Sequence, residues 1–95
     1  MTLSEIRAQR EVIIGIASRH GARNVRLFGS TARGTSGSDS DIDLLVDLEP
    51  GRTLLDLGGL LVEMQNVIGT RIDVAMARML RPEIRSQVLS EAIPL

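Results

Sequence analysis

Gly29-Ser30-Thr31-Ala32-Arg33-Gly34, followed after a polar stretch by Asp39-Ser40-Asp41-Ile42-Asp43-Leu44-Leu45-Val46, is the part of this 95-residue chain that decides its fold. The second run alternates carboxylates with aliphatic side chains and reads as a strand, Asp41 to Leu48, broken by Glu49-Pro50-Gly51. Residues two apart in a strand point to the same face, so Asp41 and Asp43 present two carboxylates roughly 6.6 Å apart along one surface. Like charges at about 4 Å and an effective dielectric near 20 repel by roughly 4 kcal/mol, a cost that a divalent cation offsets. Upstream, Gly29 after a strand lets backbone approach an anion, and Ser30 adds a hydroxyl at the mouth of a short helix. Taken alone, Gly29-Ser30 is better read as an ordinary strand-to-helix turn, with Gly for geometry and Ser for capping. The two runs together point to phosphate and metal in one site.

Working outward, Thr2 and Glu5 have capping-box spacing, and Leu3, Ile6, Ile13, Ile14 and Ala17 recur at helical intervals, which predicts a helix over about 3–19. His20-Gly21 closes it, with Arg19 and His20 read as capping groups of no catalytic role. Asn24 to Phe28 forms a first strand, and residues 34 to 40, rich in Gly, Ser and Thr, a loop. The first two strands either pair directly or stand apart. Thr53 opens a helix with Leu54, Leu57, Leu61, Met64 and Ile68 on one face and Gly69 as its stop. Gly58-Gly59 inside it implies close packing against the sheet. Arg71 to Ala75 alternates as a third strand, and Pro82 starts a last amphipathic helix through Ile84, Val88, Leu89, Ala92 and Ile93, ending near Pro94. Met64, Met76 and Met79 read as core filler or contact surface. The order implies one α/β domain over residues 1–95, an α+β arrangement with a small mixed sheet and flanking helices.

Composition narrows the chemistry. All eleven basic residues are Arg, set against twelve acidic ones, so the basic excess of a nucleic-acid scaffold is absent and no direct nucleic-acid binding is expected. Without Cys there is no disulfide, thiolate metal site or Cys nucleophile. The first ten residues lack a signal-peptide core, and no apolar run approaches about 18 residues, so a soluble, cytoplasmic protein away from the membrane is expected. Phe28 is the only aromatic residue, which leaves a nucleotide base to aliphatic or Arg surfaces.

An EF-hand is excluded: with Asp39, Asp41 and Asp43 at positions 1, 3 and 5, position 6 is Leu44 and position 12 is Pro50. Asp73 reads either as a surface partner of Arg71 or, if the third strand lies beside the second with polar faces aligned, as a third carboxylate. In the latter case Asp41, Asp43 and Asp73 could hold two Mg²⁺ ions about 3.5–4 Å apart, with Mn²⁺ as a substitute, for in-line displacement at phosphorus. Arg33, one helical turn from Gly29-Ser30, is placed to meet a phosphate or a partner's acidic group, or simply solvent.

The pair of motifs, with Arg71-Ile72-Asp73-Val74 and Pro82-Glu83-Ile84-Arg85 farther on, resembles the nucleotidyltransferase superfamily related to DNA polymerase beta. More closely it resembles the minimal nucleotidyltransferases (MNT), antitoxin halves of HEPN–MNT toxin–antitoxin pairs. The resemblance implies a polymerase beta-like palm fold and a phosphate turn at Gly29, Ser30 and Arg33. It also implies Asp41, Asp43 and Asp73 as catalytic metal ligands, and transfer of AMP from ATP to a hydroxyl. The implied acceptor is a Tyr of a HEPN ribonuclease, which as partner completes a pocket this short chain cannot enclose. The Leu-rich second helix and Met79-Leu80 are candidate contact surfaces. Two other readings stay open: an antitoxin that neutralises by binding alone, and a small-molecule transferase of the aminoglycoside-modifying kind.

Overall fold

A computed structural model describes residues 2–34 and 41–95; Ser38, Asp39, Ser40 and the body of the expected loop lie outside the described residues. Thr2 and Glu5 form the expected capping box on α1 (Leu3–Ala8). The helix then breaks at Gln9, which caps both α1 and α2 (Arg10–Arg19), where one continuous helix was expected. The apolar repeat has no member at positions 9 and 10, and the bend lets Ile6 reach the same core as Ile13 and Ile16.

β1 (Ala22–Phe28) begins two residues earlier than its apolar alternation suggests and is irregular between Arg23 and Arg26, where Asn24 has φ +53°. It runs into α3 (Gly29–Arg33), after which β2 (Ile42–Leu48) returns antiparallel to β1. α4 (Leu54–Ile68) crosses over to β3 (Ile72–Ala75), parallel to β2. A 3₁₀ turn (Ala77–Met79) leads to α5 (Pro82–Glu91), and β4 (Ile93–Pro94) pairs with Arg26 and Leu27 of β1. The sheet order is β3-β2-β1-β4.

α1, α2 and α4 share one core with the sheet, in which Ile6, Ile13 and Ile16 meet Leu27, Ile42, Leu44, Val46 and Ile72. On α4 the buried residues are Leu57, Leu60 and Met64, while Leu54, expected on the inner face, is 63% exposed. Thr53 forms a capping box with Asp56, and Gly69 ends the helix in the left-handed conformation. Gly58 has open space where a side chain would go, and Gly59 faces the ring of His20, which caps α2; packing of the pair on the sheet was expected. His20 does cap α2, and its Nε2 also lies 2.7 Å from Glu63 Oε1 of α4.

α5 departs most from expectation. It has no buried residue, with Ile84 and Leu89 both more than two-fifths exposed, and it touches α3 and β1 without joining the helical layer. It stops at Glu91 because Ile93-Pro94 is taken up by the sheet, at an edge where a residue without an N–H is tolerated. No helix among the described residues is long and apolar enough to cross a membrane.

Candidate active site

Alternation along β2 sends Ile42, Leu44 and Val46 into the core and turns Asp43, Leu45 and Asp47 to the other side of the sheet. Phe28, the last residue of β1, stands opposite Asp43. The chain then turns through Gly29 at φ +67°, a conformation that disfavours any residue with a Cβ. A Cβ there would lie 2.5 Å from Asp43 Oδ2, so the bare α-carbon is what gives the carboxylate its place. Ser30 stands half-buried in the first turn of α3. Thr31 is fully buried and its hydroxyl donates to the Asp41 carbonyl at 3.5 Å, tying α3 to the start of β2.

The parallel ladder pairs Asp43 with Asp73, the alignment on which the reading of Asp73 as a third carboxylate was conditional. Arg71 makes its ion pair with Asp41, at 3.7 Å, and not with Asp73. Burial pushes the Asp43 carboxyl above the ordinary carboxylate range, and the charges of Asp73 and Asp41 push it further; Arg33 opposes them. Three carboxylates thus share one electrostatic neighbourhood. Among the described residues no three Asp, Glu, His or Cys side chains close into a ready-made metal cage. The set is all hard oxygen, and the charges of Asp41 and Asp73 repel that of Asp43, a repulsion that Arg33 opposes. That suits Mg²⁺, which binds through one or two carboxylates and completes its shell with water and substrate phosphates.

Arg33 closes α3 on the same side of the fold. Its Nη1 donates to Glu91 Oε2 at 3.1 Å, and Glu91 Oε1 accepts from Gln87 Nε2 at 3.3 Å. Sequence reading found Arg33 but missed Glu91, Gln87 and Thr31. Glu91 sits fifty-eight positions from Arg33, and a buried Thr within Gly-Ser-Thr-Ala-Arg has no sequence mark of its own. Two clefts lie elsewhere, about 380 Å³ beside the far end of β2 and about 340 Å³ between α2 and β1, and neither borders the carboxylates. Asp41 and Asp43 are half-buried and Asp73 is exposed.

A family model described as nucleotidyltransferase domain matches residues 10–95. Over 98% of its length the chain is 37% identical to a protein of Methanocaldococcus jannaschii named "Putative protein adenylyltransferase MJ0435", covering 97% of it. It is 36% identical to protein adenylyltransferase MntA of Thermococcus cleftensis over 82% of this chain and 79% of that protein. Among solved structures, one described as a "putative minimal nucleotidyltransferase" is 50% identical, with a TM-score of 0.87 over 100% of this chain and 97% of that one. A toxin–antitoxin structure with AMP-PNP shares the fold at 21% identity and a TM-score of 0.74, over 88% of this chain and 69% of that one.

Proposed function

We propose that this chain, which belongs to the nucleotidyltransferase domain family, transfers AMP from ATP to a tyrosine hydroxyl of a HEPN-type ribonuclease toxin and so acts as its antitoxin. The observation that carries the reading is the register of Asp43 with Asp73 beside the Gly29 turn, which brings paired carboxylates and a phosphate-sized bend together. The names of the relatives support the transfer chemistry, and the toxin–antitoxin likeness supports a protein acceptor.

In this reading the acceptor oxygen attacks the α-phosphorus, the bond from that phosphorus to the α,β-bridging oxygen breaks, and pyrophosphate leaves. The hydroxyl proton passes to Asp73. Ser30 and the first N–H groups of α3 hold the triphosphate, and Arg33 meets its charge. Asp41 and Asp43, with Asp73, would hold Mg²⁺, which when bound neutralises the phosphates and makes the acceptor hydroxyl easier to deprotonate. The exposure of Asp73 suits a large acceptor, since a folded protein can deliver its own side chain there and supply the missing wall.

The test is to incubate the chain with ATP, Mg²⁺ and its cognate toxin and weigh the intact toxin. The expected result is an AMP-sized mass gain that disappears with the Asp41→Asn, Asp43→Asn double variant, together with loss of neutralisation. Full neutralisation by the double variant, with no mass gain from the wild type, would replace transfer by neutralisation through binding.

A further inference from the structure

We infer that Glu91 is a positioning residue for nucleotide binding: held by Gln87 on one oxygen, it holds Arg33 with the other, so that the guanidinium waits beside the triphosphate site. This rests on the reading of Gly29, Ser30 and Arg33 as the phosphate-binding turn. The geometry is a relay across two elements, with Gln87 Nε2 3.3 Å from Glu91 Oε1 and Arg33 Nη1 3.1 Å from Glu91 Oε2. Arg33 is half exposed and ends a five-residue helix, so local packing does little to fix its side chain. Of its five N–H donors, the pair uses one, on Nη1, and leaves others for phosphate oxygens. The guanidinium also stands near enough to lower the pKa of Asp43, which places its charge in the field of the carboxylates.

The support for Glu91 comes from α5 being anchored at both ends. At its start, Arg85 Nε donates to the Ala77 carbonyl at 3.0 Å and Arg85 Nη2 to the Leu80 carbonyl at 2.8 Å. Just past its end, Ile93 pairs with Leu27 of β1. A helix that buries no residue fully is thereby fixed in place, and its Glu91 pairs with Arg33 of α3. As a stabilising contact an exposed ion pair is worth little. Its consequence is for the placement of Arg33.

Binding of AMP-PNP with Mg²⁺ by calorimetry, and ATP KM and kcat for transfer to the toxin, separate this role from a merely structural one. Glu91→Ala is expected to weaken AMP-PNP binding and raise ATP KM by about three- to tenfold, with kcat within about twofold, as for an interaction made equally in ground and transition states. Glu91→Gln, which keeps an oxygen for Nη1, is expected to recover affinity to within about twofold of wild type. In an Arg33→Ala background, Glu91→Ala is expected to add nothing. Unchanged or tighter binding by Glu91→Ala, or an undiminished effect in the Arg33→Ala background, overturns the inference alone. A wild-type chain that binds no AMP-PNP overturns both the inference and the reading beneath it.

Discussion

At the scale of single residues, Gly29 and Asp43 are one device, because the space the glycine leaves is the space the carboxylate fills. Gly29→Ala combines a left-handed backbone with a collision, and is expected to cost about 1–3 kcal/mol in denaturant unfolding. It is also expected to lower transfer activity by about a hundredfold or more through misplacement of Asp43. Asp43 in turn carries a cost to the resting fold. Its carboxyl is raised above the ordinary value of 3.8 by burial and by Asp73 and Asp41. The associated stability is therefore complete below that value and is lost as pH rises through the raised pKa. Asp43→Asn should abolish transfer yet raise the melting temperature at neutral pH by a few degrees, and the gain should shrink as the pH falls into the carboxylate range. The nearness of Asp41 to Asp43 was legible in the sequence because alternation along a strand is local. The placement of Asp73 was legible only conditionally, since it depends on a register with β2 set across the α4 crossover.

At the scale of elements, α4 shows how the same residue type can answer to different neighbours. Gly58 faces open space while Gly59 would place a Cβ 3.3 Å from the His20 ring. Gly58→Ala is expected to stabilise the isolated chain by about 0.5–1 kcal/mol in urea melts. Gly59→Ala should gain less or lose, because the ring must shift. The helix itself was readable from its Thr53 cap, apolar period and Gly69 stop, all of which act within a few residues. The break at Gln9 and the early end of α5 were less so. Each is settled by a tertiary demand, Ile6 reaching the core and Ile93 pairing with β1, and aliphatic spacing cannot distinguish a helix that buries its apolar side chains from one that leaves them exposed.

At the scale of the whole molecule, two carboxylates pull stability in opposite directions with pH. Glu63 of α4 is held below its ordinary value of 4.5 by hydrogen bonds from His20 and Arg19, both on the α2 side of the core. Its contribution is present above that value and is lost as pH falls through the lowered pKa. Glu63→Gln should therefore lower the melting temperature at neutral pH, with the difference closing in acid, the reverse of the trend expected for Asp43→Asn. A differential-scanning series across pH for both variants checks the two signs together. Sheet order was the part of the architecture that sequence left open. Direct pairing of β1 with β2, and closure of the far edge by two residues after α5, depend on contacts between distant segments that no local pattern encodes. The parallel pairing of Asp43 with Asp73 also sets a timetable for refolding. Parallel strands joined by a helical crossover are slow to find one another, whereas the β1–β2 return can form earlier. The half of the site carried by Gly29 and Asp43 would then exist before Asp73 arrives, and recovered transferase activity after dilution from denaturant would time the last docking step in the birth of the fold.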